Sequence, residues 1–574
     1  MATTSEGPTI CIIGSGATGI NAIKVCREEN FNVVCYEQSN FLGGLWKYRD
    51  DDVDGLASVM RSTIINSSKE MSAYSDYPPP AEFANYMHNT AMYQYFEMYA
   101  EHFGVRKFIE FETKVIKVEP AEDYEATGRW KVTSQHLKTK EIKSKVFDGV
   151  MVCTGHHVKP LRPTFKGEEK FKGRIIHTHG YKKPNPFENE TVVVVGIGNS
   201  GGDAAVELSM FSKKVYLSTR RGAWILWRVG PQGNPFDSEF ITRFCFTLFN
   251  YTPYRVKCSF VEHYLNDRFD HKLYRVEPDH RVFGQHPMVN DALPNRILSG
   301  TVVLKNDIQE FTEDGIIFEG ESKVTKCDSV ILATGYEVSF PFLDSSIVWT
   351  SENHVELYKY MFPPKLKHPH TLGLIGLIQA VGPAIPVSEQ QSRWFVQLMK
   401  GRCRLPSVPV MMKDIDEKNA EIESRYFKGP RHTMQIDWVN YMDEIAEQYG
   451  AKPNLWKYFF TDPAFWYKLY FGPCLPYQYR IEGPHKWSGA RKAIMTVNER
   501  IDAAFATRSL KLSKKSPLKA PKAGPMYALI ASLGSVLFVF RAYLRKYLQQ
   551  DHWRYLAGAS AILITLITIL NYTL

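Results

Sequence analysis

The 574-residue chain has no C-x-x-C pair among its nine cysteines. That absence excludes the dithiol of a disulfide reductase and the paired cysteines of a zinc finger. The number is odd and the cysteines mostly stand in apolar runs, so we expect buried, reduced thiols. Histidines occur as His156-His157 and as His177 and His179, but no carboxylate or cysteine set accompanies them. We therefore predict loop histidines and no metal site.

The chain also lacks a strong excess of either charge over most of its length. The net charge of +9 arises from 70 Lys and Arg against 61 Asp and Glu, and much of the excess lies between Arg508 and Lys522. The rest of the chain is nearly balanced, which argues against a nucleic-acid-binding protein. The first eight residues lack a basic region and an apolar run, so they are not a signal peptide. No Ser/His/Asp constellation stands out either.

The C-terminal region contains an uncharged apolar run, residues 555–574. At about 1.5 Å per residue it is just long enough to cross a bilayer core of about 30 Å. Residues 526–540 are apolar but short, and the basic, aromatic stretch 541–554 is typical of an interfacial helix. The alternative is a buried core helix for both runs. Their position after the Lys/Pro/Ser-rich linker 511–525 favours a membrane anchor in the endoplasmic reticulum, with the preceding part of the chain in the cytosol. Whether 526–540 spans the bilayer or lies on it stays open.

Two glycine-rich turns, about 180 residues apart, carry the most information. Each directly follows an apolar run, 10–13 or 192–195, and so lies between a strand and a helix. There the glycines allow close backbone approach, and the helix N-terminus faces a pyrophosphate. The first turn consists of Gly14, Ser15, Gly16, Ala17, Thr18 and Gly19, and the second consists of Gly196, Ile197, Gly198, Asn199, Ser200 and Gly201, with Gly202 and Asp203 following. We expect Asp203 to cap the helix or to orient neighbouring groups, since its carboxylate would repel a phosphate.

The residues that follow each turn distinguish the two cofactors. Counting 23 residues from the first glycine leads to Glu37 in one unit and to Thr219, followed by Arg220 and Arg221, in the other. A carboxylate at that position accepts hydrogen bonds from a free ribose 2′-OH, whereas an arginine pairs with a 2′-phosphate. The first unit is therefore predicted to bind FAD and the second NADPH. A solvated charge pair is the alternative for the two arginines.

The similarity of two segments within the chain supports two nucleotide-binding lobes. Residues 148–155 are similar to residues 328–335, and both are interpreted as a buried strand that ends in a Thr-Gly turn. The predicted fold class is α/β, with two dinucleotide-binding Rossmann-like domains, the NADPH domain being inserted in the FAD domain, and C-terminal membrane-anchoring helices. The predicted domains are 1–165 (first part of the FAD domain), 166–330 (NADPH domain), 331–510 (second part of the FAD domain and a helical region) and 511–574 (basic linker and membrane anchor).

Several motifs are spread over nearly the full length of the chain, and residues 171–181 have the pattern F-x-G-x-x-x-H-x-x-x-Y. This pattern resembles a motif of the animal flavin-containing monooxygenases, and Tyr181 stands where the related Baeyer–Villiger monooxygenases usually have Trp. Residues 219–224 and 285–287 are similar to the branch of the fifth vertebrate isoform, which is associated with oxygenation of carbonyls. Other matching segments are Gly43-Gly44-Leu45-Trp46, Ile65-Asn66-Ser67-Ser68-Lys69-Glu70 and Ala333-Thr334-Gly335-Tyr336.

The resemblance implies that NADPH passes a hydride to FAD. The reduced flavin then captures O2 at its C4a carbon, and the resulting (hydro)peroxide gives one oxygen atom to a small lipophilic substrate, at nitrogen, sulfur or a carbonyl. It also implies that Gly44, Leu45, Trp46 and Ile65 contact FAD. Two other readings are an uncoupled NADPH oxidase that makes hydrogen peroxide and a membrane-tethered dinucleotide sensor. The sequence leaves open the substrate and a homo-oligomer.

The resemblance also implies three candidate catalytic residues. Asn66 would donate to the peroxide, unless it caps a helix that starts near Ser67. Gln379 would approach the isoalloxazine, unless it is a plain turn residue. His286 would polarise a carbonyl substrate or tune peroxide protonation, because the pKa of histidine lies near working pH; an ordinary loop histidine is the alternative.

Overall fold

The computed structural model describes residues 7–426 and 433–508. The predicted linker and anchor, 511–574, lie outside these residues. The described chain up to Thr507 forms one compact unit. Among the described residues, no helix combines the length and the apolar character needed to span a bilayer.

Fifteen α-helices occur in the described ranges, and many are shorter than three turns. They are α1 (Ala17–Glu28), α2 (Asn89–His102), α3 (Tyr124–Thr127), α4 (Asn199–Leu208), α5 (Phe236–Phe240), α6 (Arg243–Tyr251), α7 (Tyr254–Arg268), α8 (Leu293–Leu298), α9 (Ala384–Met399), α10 (Val408–Arg425), α11 (Trp438–Gln448), α12 (Leu455–Thr461), α13 (Pro463–Phe471), α14 (Ala490–Met495) and α15 (Val497–Ala503). Six of them lie beyond residue 405, as expected for the helix-rich C-terminal part.

The first sheet contains the first glycine turn. Its five strands are all parallel, and in spatial order they are β22 (Leu372–Leu374), β7 (Gly149–Val152), β1 (Thr9–Ile13), β2 (Asn32–Tyr36) and β3 (Ile109–Glu110). The apolar run at the start of the chain forms β1, whose last four residues are buried. Parallel strands buried on both faces need such continuous apolar runs.

The second sheet repeats this plan around the second glycine turn. Its five parallel strands, in spatial order, are β14 (Val302–Lys305), β11 (Lys214–Ser218), β10 (Thr191–Val195), β18 (Ser329–Leu332) and β9 (Arg174–His177). The two similar segments, 148–155 and 328–335, contain β7 and β18. These strands lie beside β1 and β10, respectively, and are buried over their whole length. Both were predicted as buried strands, and the structure confirms this.

Smaller sheets complete the architecture. Two antiparallel sheets have three strands each, and four further sheets have two strands each in the described chain. The three-stranded sheets are β4 (Thr113–Pro120), β5 (Trp130–His136) and β6 (Ile142–Phe147), and β15 (Ile308–Phe311), β16 (Gly315–Phe318) and β17 (Thr325–Lys326); the pairs are β8 (Lys159–Pro160) with β19 (Tyr336–Glu337), β12 (Ile225–Leu226) with β13 (Met288–Val289), β20 (Thr350–Ser351) with β21 (His354–Val355), and β23 (Gln379–Val381) with β24 (Gln435–Asp437).

The chain passes from the first sheet to the second after β7 and returns to the first at β22. In sequence, the strands of the first sheet are thus interrupted by all the strands of the second sheet. The exact domain boundaries at 165/166 and 330/331 stay a prediction.

The core is dense in aromatic and charged side chains. Helix α9 is almost wholly buried against α1, and Arg393 on α9 pairs with Glu28 at 3.0 Å and with Glu389 at 2.9 Å. A buried ion pair of this kind is tolerated because each charge has close partners. All nine cysteines are free thiols and seven are buried, as predicted.

Candidate functional site

The first glycine turn can be formed only by glycine at two of its positions. Gly14 has φ of +97°, and a Cβ there would lie 2.9 Å from the carbonyl oxygen of Cys153. A Cβ on Gly19 would lie 1.8 Å from the carbonyl oxygen of Gly14, because α1 starts against the turn. Gly16 is the N-cap of α1 and offers no side chain to its free N–H groups. These groups are therefore available to an anionic ligand.

Glu37 is fixed beside this turn. Its Oε2 accepts hydrogen bonds from the backbone N–H of Ser15 at 2.7 Å and from Ser15 Oγ at 3.0 Å. Its Oε1 accepts from the N–H and the hydroxyl of Ser39, both at 2.8 Å. The carboxylate at the end of β2 thus has the place and the rigid orientation that a ribose-binding residue requires.

The segment Gly44–Trp46 packs against the first turn. It forms a short 3₁₀ helix, and Gly43 N–H donates to the carbonyl of Ser15 at 2.9 Å. A Cβ on Gly44 would approach the Cα of Gly16 to 3.1 Å. Glycine thus faces glycine here, and the missing side chains let the two backbone segments approach each other closely. The structure therefore brings Gly44, Leu45 and Trp46 to the predicted FAD site.

The second turn has the same construction. Gly196 has φ of +105°, and a Cβ on Gly201 would lie 1.8 Å from the carbonyl oxygen of Gly196. Gly198 is the N-cap of α4, and a Cβ there would meet no atom within 4 Å. Ser200 stands in the first turn of α4. The open space over Gly198 is the feature that fits a second dinucleotide.

The start of α4 is tied to β13. Asn199 Oδ1 accepts the N–H of Val289 at 2.8 Å, and Asp203 Oδ1 accepts from Asn290 Nδ2 at 2.8 Å. Burial raises the pKa of Asp203 to about 6. A Cβ on Gly202 would collide with the side chain of Met288. Asp203 thus accepts a hydrogen bond from a protein side chain, and its capping or orienting role stays a prediction.

The two arginines follow β11 directly. Arg220 is largely exposed, and its Nε lies 3.9 Å from Asp307 Oδ2. Arg221 is less exposed, and its Nε lies 4.0 Å from Asp279 Oδ2. These are long, weak pairs at a surface. The guanidinium of Arg220 is accessible at the end of the strand where a 2′-phosphate is expected.

Asn66 lies in a segment without helix. Residues 66–73 form turns and bends, so the alternative in which Asn66 caps a helix near Ser67 is wrong. Asn66 Oδ1 accepts a hydrogen bond from Arg228 Nη2 at 2.7 Å, which orients the amide. Its Nδ2 hydrogens have no partner in the described part of the chain. Asn66 is exposed, so its amide hydrogens can donate to a ligand.

Arg228 is the residue that sequence reasoning missed. Its Nε donates to the carbonyl of Ile65 at 3.3 Å, and its Nη1 lies 3.4 Å from Asp291 Oδ2. Arg228 follows β12, and β12 pairs with β13, which is bonded to Asn199 on α4. A continuous path of contacts thus joins the second glycine turn to Asn66. Only an arginine at the end of the apolar run 223–227 marks it in the sequence.

Gln379 and His286 are joined through a third residue, Gln435. Gln435 Nε2 donates to Gln379 Oε1 at 2.7 Å across the β23–β24 pair. Burial lowers the pKa of His286, and Gln435 opposes that shift only in part. The expectation that His286 titrates near working pH is therefore corrected: the neutral ring prevails at pH 7. His286 Nδ1 and Gln435 Oε1 are buried without a hydrogen-bond partner among the described residues, so both side chains keep unused hydrogen-bonding capacity.

These three residues form a group apart from Asn66. No hydrogen bond within residues 7–426 and 433–508 joins Asn66 to Gln379 or His286.

Three of the histidines predicted to lie in loops pack around Tyr336. The rings of His157 and His177 each lie 5.2 Å from that of Tyr336, and burial lowers the pKa of both histidines to about 4. His179 Nδ1 lies 2.7 Å from Asp52 Oδ1. In the described residues no group of three or more His, Cys, Asp or Glu could hold a metal ion.

A family model described as flavin-binding monooxygenase-like matches residues 7–541. The chain is 48% identical to flavin-containing monooxygenase 5 of Cavia porcellus over 506 residues, which are 88% of this chain and 94% of that protein. It is 46% identical to flavin-containing monooxygenase 5 of Homo sapiens over the same shares of the two chains. It is 42% identical to dimethylaniline monooxygenase (N-oxide-forming) 2 of Oryctolagus cuniculus, over 89% of this chain and 95% of the relative.

Solved structures share the fold. S-allyl-L-cysteine S-oxygenase from Allium sativum superposes with a TM-score of 0.59 at 22% identity, over 85% of this chain and 99% of that one. OTEMO in complex with FAD and NADP gives a TM-score of 0.58 at 15% identity, over 77% of this chain and 98% of that one.

Proposed function

This chain belongs to the flavin-containing monooxygenase family, and we propose that its first glycine turn holds FAD, its second holds NADPH, and Asn66 works where the two meet. FAD supplies a ring that accepts a hydride from NADPH and activates O2. The observation that carries the proposal is the bond between Arg228 and Asn66, since it joins the second lobe to the segment predicted to face the flavin.

The protein's own part in this chemistry is to bind, orient and exclude water. The N-termini of α1 and α4 hold the two pyrophosphates, and Glu37 accepts from the ribose of FAD. Arg228 fixes the amide of Asn66 so that Nδ2 points away from the guanidinium. Asn66 would then donate a hydrogen bond near the one oxygen atom that is to be transferred.

We propose small lipophilic substrates, oxidised at nitrogen, sulfur or a carbonyl carbon. The relatives named above include both flavin-containing monooxygenase 5 and an N-oxide-forming enzyme. His286 supports the carbonyl reaction, because a neutral imidazole in a partly buried site can donate one hydrogen bond to a carbonyl oxygen without bringing a charge.

The test is a product screen with one tertiary amine, one thioether and one aliphatic ketone, with NADPH consumption and hydrogen peroxide followed in parallel. A monooxygenase gives nearly one product per NADPH with at least one substrate. Hydrogen peroxide equal to the NADPH consumed, with all three substrates, would instead indicate an uncoupled NADPH oxidase. No flavin reduction by NADPH would indicate a sensor.

Arg220→Ala is expected to weaken binding of NADPH far more than that of NADH. A charge-assisted hydrogen bond to phosphate contributes roughly 1.5–3 kcal/mol, which corresponds to about ten- to a hundredfold in affinity. The ratio of the two dissociation constants is the measurement. Arg129→Ala removes an exposed arginine of the loop between α3 and β5 and serves as control. An equal loss for both cofactors would show that Arg220 does not contact the 2′-phosphate.

We also propose attachment to the endoplasmic reticulum membrane, with the catalytic part in the cytosol. Besides the predicted anchor, α12 supports this: Trp456, Phe459 and Phe460 recur on one helix face and are 68%, 41% and 75% exposed. Lys457 is exposed on the same helix. Aromatic residues beside a cation are typical of a bilayer interface.

Deleting residues 526–574 is expected to release the enzyme from microsomes while most activity remains. All proposed site residues precede that region. Residual binding of the truncated enzyme to anionic vesicles should fall when Trp456 and Phe460 are both replaced by Ser. Protease added to intact microsomes should digest the catalytic part; full protection of residues 1–500 would overturn the orientation.

A further inference from the structure

The Asn66 segment, residues 65–70, has no regular structure to hold it. Residues 47–88 contain no helix or strand beyond isolated bridge pairs. A segment without a backbone ladder keeps one conformation only if other groups satisfy its polar atoms. The contacts that do so therefore decide where Asn66 stands.

The last described helix provides the largest set of these contacts. Arg500 on α15 donates through Nε to both oxygens of Glu70, at 2.9 and 3.0 Å, and through Nη2 to the carbonyl of Pro79. Tyr477 OH donates to Glu70 Oε2 at 3.0 Å. Glu70 is almost wholly buried, so this carboxylate has no water to replace a lost partner.

Lys69 makes a second link to the same helix. Its ammonium group is fully buried and donates to three backbone carbonyls, those of Ala81, Phe83 at 2.8 Å and Arg500 at 3.0 Å. Three acceptors use all three hydrogens of an ammonium group. Burial lowers the pKa of Lys69 to about 8, with Glu70 acting in the opposite sense, so the group is mostly charged at pH 7.

A third link runs between backbone and side chain. Asn85 Nδ2 donates to the carbonyl of Ile501 at 3.0 Å, while the carbonyl of Asn85 accepts from Lys69 N–H at 2.7 Å. Arg500, Ile501 and their partners thus enclose residues 69–85 from one side. The partners are separated by more than 400 positions in sequence.

We infer that α15 positions the Asn66 segment, and that Arg500 and Glu70 are positioning residues for oxygen transfer. This rests on the proposed role of Asn66 and adds that the helix at the end of the described chain fixes it. Arg228 orients the amide of Asn66 from one side, and α15 holds the backbone behind it. Loss of the α15 contacts should leave FAD bound but let the donor move, so that reduced flavin reacts with O2 without transferring oxygen to the substrate.

The test uses the full-length enzyme and compares a double variant, a conservative variant and a control. Arg500→Met alone strands the carboxylate of Glu70 in the core and can fail to fold for that reason. The double variant Arg500→Met/Glu70→Gln removes both charges, and Arg500→Lys keeps the charge but loses the planar fork. Arg491→Met is the matched control, because Arg491 on α14 is exposed and contacts Asp462 and the ring of Phe465 but neither Glu70 nor any residue of the Asn66 segment.

We expect the double variant to keep its FAD content. Hydrogen exchange of the backbone amides of residues 65–72 should rise about tenfold, and product formed per NADPH should fall by about tenfold. The KM for substrate should change much less than the product yield. Arg500→Lys should recover part of the yield, and Arg491→Met should behave as the parent enzyme.

Two outcomes would overturn the inference. Unchanged exchange in the double variant would show that α15 does not hold the segment. Raised exchange with an unchanged product yield would show a purely structural role. Asn66→Asp is measured in parallel: if it also leaves the yield unchanged, the proposed role of Asn66 fails, whereas a low yield in that variant alone places the failure in the role of α15.

Discussion

Gly201→Ala is expected to abolish reduction of the flavin by NADPH, and Gly198→Ala, three residues away, to weaken NADPH binding without unfolding. A Cβ at Gly201 would lie 1.8 Å from the carbonyl oxygen of Gly196. The obstacle is backbone, so α4 must move away from β10 to accommodate the methyl group. Overpacking of this kind costs about 3 kcal/mol or more.

Gly198 is a matched control on the same turn. It has extended backbone, with φ of −75°, and a Cβ there would meet nothing within 4 Å. Alanine should therefore fold normally at this position. If the pyrophosphate of NADPH lies against the turn, the methyl group enters its space and should raise the KM for NADPH by about tenfold or more.

The measurements are thermal unfolding, flavin reduction by NADPH and flavin reduction by dithionite. We expect Gly201→Ala to lose at least about a hundredfold in the rate of reduction by NADPH, while dithionite still reduces its flavin. A normal rate in Gly201→Ala would show that the second turn is not needed for NADPH. A normal KM in Gly198→Ala would show that the pyrophosphate binds elsewhere.

Local patterns in the sequence predict the two strand–turn–helix units well. A strand, a glycine turn and a helix occupy consecutive residues, so the apolar run before Gly14 is enough to place β1, the turn and α1. The position of Glu37 at the end of β2 follows from the same spacing. Both units depend on neighbours in sequence, and this is why they can be predicted.

The surroundings of Asn66 could not be predicted in the same way. The cap alternative failed because the N–H of Ser68 donates to Asp237 Oδ2 at 2.6 Å, a carboxylate 169 residues away, and no helix begins there. Arg228 lies 162 residues from Asn66, and Arg500 lies 430 residues from Glu70. Contacts over such distances leave no periodicity or spacing in one sequence. The low pKa of His286 likewise follows from burial, which only the fold reveals.

Asn66→Asp is expected to leave FAD binding and the fold intact and to reduce product formed per NADPH by about a hundredfold. Aspartate keeps an acceptor for Arg228 Nη2, now with a charge, so the contact that orients residue 66 is retained or strengthened. What the variant loses is the Nδ2 donor, and it places a negative charge where anionic oxygen must be stabilised.

The balance between product and hydrogen peroxide decides this prediction. Reduction of the flavin by NADPH should stay within a few-fold of the parent enzyme, and most of the NADPH consumed should appear as hydrogen peroxide. Arg228→Lys is the companion variant: lysine can reach Asn66 Oδ1 or Asp291 but cannot span both, so the yield should fall less than in Asn66→Asp. A normal product yield in Asn66→Asp would mean that the amide hydrogens are not used. Oxygen transfer would then depend on other donors, for example those of the group in which Gln435 contacts Gln379 and His286.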